Sequence, residues 1–129
     1  MYKEKVITAI PYPFRVRFVL TDRTEKLEEK ANVYHKGDVF AHTYMGPDHD
    51  GRKVITVIIN PKNKYSQASL TDVAHECIHV KNFIYGSVSQ YLDTENDEAE
   101  AYFFTWVLKQ AYEFYQKYLP AIGGPKSSS

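Results

Sequence analysis

The sequence predicts one α+β domain: a mostly antiparallel sheet packed on a histidine-bearing helix and a long C-terminal helix. Three observations carry this. Residues 53–60, KVITVIIN, form a continuous β-branched run bounded by Gly51 and Pro61, the pattern of a strand. In residues 70–83, Leu70, Val73, Ala74, Cys77, Ile78 and Phe83 or Ile84 recur at helical spacing. A second helical stripe starts near Asp93 or Thr94 and runs toward Leu119.

Taken in order, residues 2–20 are β-rich, with Phe14, Val16, Phe18 and Leu20 alternating with Arg15, Arg17 and their neighbours. Pro11 and Pro13 put a break or an edge position there. Residues 21–32 are highly charged and read as a short solvated helix or turn. Residues 33–44 are a further strand, followed by the turn-rich Gly46-Pro47-Asp48-His49-Asp50-Gly51. Residues 61–67 are a polar connection into the first long helix. Ser69 with Asp72 resembles a capping box, and Gly86 is a natural stop. The second long helix carries Glu95, Asp97, Glu98 and Glu100 in its first turns, where the helix dipole favours acids. Its buried positions include Ala99, Tyr102, Phe103, Trp106, Val107, Ala111, Phe114 and Tyr118, and Pro120 ends it. Residues 1–122 are expected to form the single domain, with residues 123–129 a disordered tail.

The totals narrow the function. A chain of 129 residues builds one modest core. Lys plus Arg and Asp plus Glu both count 16, so no general electrostatic footprint for nucleic acid is expected. No apolar run reaches transmembrane length and no signal peptide opens the chain, so no membrane partner is expected. The single Cys77 forms no internal disulfide and fits a reducing cytoplasm. The 11 tyrosines suit a core margin or a contact surface.

His75-Glu76-Cys77-Ile78-His79 is the pattern H-E-x-x-H. On a helix, positions i and i+4 share a face, so both imidazoles can point at one metal ion. Zn2+ suits two neutral nitrogens plus one carboxylate, with a fourth position open to water. Glu76, one residue past the first histidine, flanks the metal as the general base. The rival reading is a core helix whose histidines are satisfied by hydrogen bonds. Cys77 reads as a small buried hydrophobe. His35, His42 and His49, seven residues apart, lack a recognisable zinc spacing and read as surface or loop histidines.

A third ligand is needed, and the acids of the second helix supply the candidates. Glu98 is the first choice: it is in register with Tyr102 at i+4, and small Ala99 and Ala101 permit close approach of the helices. Glu95, one turn earlier, is the alternative. The bland account of these acids is a capped, solvated helix start.

His75-Glu76-Cys77-Ile78-His79, preceded by KVITVIIN and followed by Asp97-Glu98-Ala99-Glu100-Ala101-Tyr102-Phe103, resembles the zincin metallopeptidases of ImmA/IrrE type. The resemblance spans residues 53–108. It places Glu98 and Ala99 at the glutamate and alanine of a downstream motif like E-A-N-x-F-A. Cys77-Ile78 stand where that family often has Leu-Gly, and Glu100 where it usually has Asn. The resemblance implies a small zincin-like domain, His75, His79 and Glu98 as zinc ligands, Glu76 as base, and a protein or peptide substrate. Minimal zincins of phages and mobile elements are of similar size. A catalytically silent binding protein acting on a host partner is therefore the alternative function. The strand at 53–60 is the candidate edge on which an extended substrate would pair. Tyr91, Tyr102 or a loop histidine is the candidate oxyanion donor.

Overall fold

The computed structural model describes residues 2–9, 12, 14–33, 41–60, 70–88 and 98–122. Its elements are β1 (Tyr2–Thr8), β2 (Arg15–Thr21), α1 (Leu27–Ala31), β3 (Ala41–Pro47), β4 (Lys53–Ile59), α2 (Leu70–Ser87) and α3 (Glu98–Ile122). The α+β class is as expected. The strands form one sheet in the order β1-β2-β4-β3. β1–β2 and β3–β4 pair antiparallel, whereas β2 and β4 run parallel, so the sheet is mixed. The parallel pair arises because the chain leaves β2, crosses through α1 and builds the edge strand β3 before returning as β4.

β4 is hydrogen-bonded on both sides, which corrects the expectation that it is a free edge. Its unbroken β-branched run is what burial of both faces requires, and every residue after Lys53 is buried. Among the described strands the edges are β1 and β3. β1 carries exposed Lys3, Glu4 and Lys5, charges that discourage further strand pairing. Between β1 and β2 the chain turns, with the Tyr12 amide donating to Ala9 O at 2.7 Å. The break expected near the prolines falls here, although Pro11 and Pro13 lie outside the described residues.

Alternation divides the sheet into two faces. Val16, Phe18, Leu20, Ile55, Val57 and Ile59 face the long helices and form the main core with Val73, Cys77, Val80 and Ile84 of α2 and Phe103, Val107, Ala111, Phe114 and Tyr115 of α3. Val19 and Ile58 face the other way, under Leu27 of α1. Tyr115 fastens α3 to the sheet: its buried hydroxyl lies 3.1 Å from Val19 O and 2.9 Å from Val57 O, on neighbouring strands. On the α1 side Arg17 is 5% exposed and its Nη2 donates to Asp48 at 2.7 Å, in the β3–β4 turn. Gly51 supplies that turn with φ of 84°.

Helix ends differ from expectation. Gly86 stays helical and α2 continues to Ser87. α3 runs to Ile122, past Pro120, whose missing N–H removes only one bond from the final turn. The start at Asp93 or Thr94 and the expected disordered tail both lie outside the described residues. No described helix is long and apolar enough to cross a membrane.

Candidate metal site

Helix α2 presents three faces. Val73, Cys77, Val80 and Ile84 enter the core. Lys81 meets α3 through an ion pair with Glu100, Nζ to Oε2 at 2.5 Å. His75 and His79 share a face, as the i, i+4 spacing demands, and are exposed, with ring centroids 5.0 Å apart and planes at 77°. Two rings so close can reach one ion at the roughly 2.0–2.1 Å usual for zinc and imidazole nitrogen.

Glu76 turns inward instead. It is 6% exposed, and its Oε1 accepts a 2.6 Å hydrogen bond from the Thr43 hydroxyl of β3. The carboxylate next to the histidine pair is thus clamped to the edge strand. A buried carboxylate needs such a donor to offset lost hydration. Thr43 carried no sequence signal, being one threonine in a strand far along the chain.

The acids of α3 fall on different sides of it. Glu98 is exposed, and so is Tyr102, at 71%. The buried stripe is Phe103, Val107, Ala111, Phe114 and Tyr115, which leaves Tyr102 and Glu98 on the outer side, and Ala99, at the margin, is exposed as well. The inference that Tyr102 marks the buried face and carries Glu98 inward is therefore corrected. Two residues on, about 200° around the helix, Glu100 points to α2. Its Oε2 meets Lys81, while its Oε1 is buried with no hydrogen-bond partner among the described residues. Glu95, Asp97 and Tyr91 lie outside the described residues.

Among the described residues no three His, Cys, Asp or Glu side chains converge closely enough to hold a metal ion. The fit to zinc among the described residues is therefore partial: two imidazoles come together, and none of these residues brings a third donor to them.

Cys77 is fully buried and free. Burial, with a smaller push from the Glu76 charge, raises its thiol to about 12, so it remains protonated at neutral pH. Among the remaining histidines, His42 is exposed and packs on Tyr44 with centroids 4.2 Å apart. His49 Nε2 lies 2.8 Å from Glu29 O, and His35 lies outside the described residues. No protein-family model, curated protein sequence or solved structure matches the chain.

Proposed function

We propose that this chain is a zinc-dependent metallopeptidase of zincin-like type that hydrolyses a peptide bond in a protein substrate. The observation that carries the reading is the His75–His79 ring pair, 5.0 Å apart on an exposed helix face. Glu76, next to the first histidine in the chain and held by Thr43, is the carboxylate the reading assigns as base. His75 and His79 are the proposed ligands, with the third drawn from the start of α3. The family resemblance favours Glu98. Helix phase favours Glu100, whose buried Oε1 is without a hydrogen-bond partner among the described residues.

Zinc bound there would polarise the scissile carbonyl and lower the pKa of its water to about 7. The protein's own part falls to Glu76 and β3. Thr43 fixes one oxygen of Glu76, leaving the other to take the proton and return it to the departing amine. β3, the edge strand that holds Glu76, is the strand to which an extended substrate would add. The lone buried thiol suits a cytoplasmic setting.

The test is zinc content combined with a proteome-wide cleavage screen. Wild-type protein is expected to bind one zinc, with His75→Ala and His79→Ala each losing it. Glu98→Gln and Glu100→Gln decide the third ligand by the same measurement. Wild-type protein that takes up no zinc would refute the proposal. A second reading, a binding protein without catalysis, rests on exposed Tyr102 and Trp106, one turn apart on α3. It predicts no cleavage by either wild type or Glu76→Gln.

A further inference from the structure

On the face of the sheet away from the histidines, a cavity of about 150 Å³ opens between the end of α1 and the β3–β4 pair. Asn32, Val33, Tyr44, Gly46, Val54 and Thr56 line it. Sequence explains the space. Gly46 stands opposite Val54 in the ladder, and a Cβ built on it would meet nothing within 4 Å. A strand position that ordinarily carries a packing side chain is here left open.

The lining is apolar apart from a few groups, and one of these is unsatisfied. Thr56 is 1% exposed, and its hydroxyl has no hydrogen-bond partner among the described residues. A buried hydroxyl without a partner is uncommon in native proteins and calls for a ligand or a water. Its ladder neighbour Arg17 has its charge matched by Asp48 at 2.7 Å and Glu4 at 3.7 Å, although its Nε and Nη1 have no hydrogen-bond partner among the described residues. No surplus positive charge therefore calls for an anion.

We propose that this cavity binds a small neutral monocyclic ligand, its ring filling the apolar space and its single oxygen hydrogen-bonded to Thr56. The size sets the class: a protein cavity of about 150 Å³ is known to admit benzene. The site is separate from the histidine pair and does not depend on the peptidase reading.

Phenol and toluene, titrated into the full chain and followed by amide NMR shifts, provide the test. Phenol is expected to bind about tenfold more tightly than toluene, the scale of one satisfied hydrogen bond. The shifts should center on residues 32–33, 44–46 and 54–56. Thr56→Val, which keeps the shape and suits a strand, should abolish the preference while leaving toluene binding intact. Gly46→Leu should block both ligands. Equal binding of the two ligands would overturn the proposal, as would shifts elsewhere or no binding by wild-type protein. The last result would mean that the cavity holds water only.

Discussion

The Thr43 hydroxyl donates a 2.6 Å hydrogen bond to Oε1 of Glu76, joining the edge strand β3 to the helix that carries both histidines. Both residues are buried, so the bond is shielded from competing water. Thr43→Val keeps the shape and leaves the carboxylate without this donor. The expected loss is about 1–3 kcal/mol of stability in urea denaturation. Thr43→Ser should recover most of it. Under the peptidase proposal, Thr43→Val also lowers kcat more than it raises KM, because it disturbs the base and not the substrate contacts.

Glu76→Gln separates chemistry from structure. The amide oxygen can still accept from Thr43, so the fold and the histidine pair should persist. The prediction is zinc content equal to wild type with cleavage abolished, read by metal analysis and product detection. Undiminished cleavage would show that Glu76 is not the base.

The sequence made the α2 face legible because helical spacing alone dictates that His75 and His79 share a side, and their rings do lie together. The strand at residues 53–60 was equally plain. Its position was not: a β-branched run marks burial on both faces, and this is also why β4 lies between two partners and not at an edge. The parallel β2–β4 pairing depends on chain crossover, which local pattern does not encode. The phase of α3 is not legible in the sequence because Tyr102 and Trp106 are apolar enough to extend the stripe, yet Tyr102 lies on the outer side and Trp106 at its exposed margin. A shift of two positions exchanges Glu98 for Glu100 as the acid facing α2. Thr43 and Thr56 gave no signal, since a threonine in a strand is ordinary whichever way it points.

Tyr115 offers a test of how α3 is held. Its hydroxyl is fully buried and lies against two strand carbonyls, and burial pushes its ionisation well above the usual tyrosine value. Tyr115→Phe retains the ring contacts with Phe18 and Phe114. The expected cost is about 1 kcal/mol in chemical denaturation, with no new cavity. Tyr115→Ala removes the ring as well and should cost about 3–5 kcal/mol.

Asp48 gives the fold a predictable acid limit. Burial alone would raise its carboxyl, but the Arg17 hydrogen bond, the His49 amide and the nearby Arg15 charge outweigh it, and the net shift is downward. A carboxyl depressed in the folded state binds its proton more readily when unfolded. Its contribution is therefore complete above the unfolded value of about 3.9 and is lost as pH falls through the lower folded value. Stability should decline below about pH 4. Asp48→Asn removes this component, so the difference in unfolding free energy between wild type and variant should shrink steadily on acidification below that pH. At neutral pH the variant should already be weaker by about 3 kcal/mol, because Arg17, at 5% exposure, loses its closest counter-charge. Denaturation curves at pH 7, 5, 4 and 3 for both proteins measure this. A difference that stays constant across the series would show that the Arg17–Asp48 pair does not set the acid response.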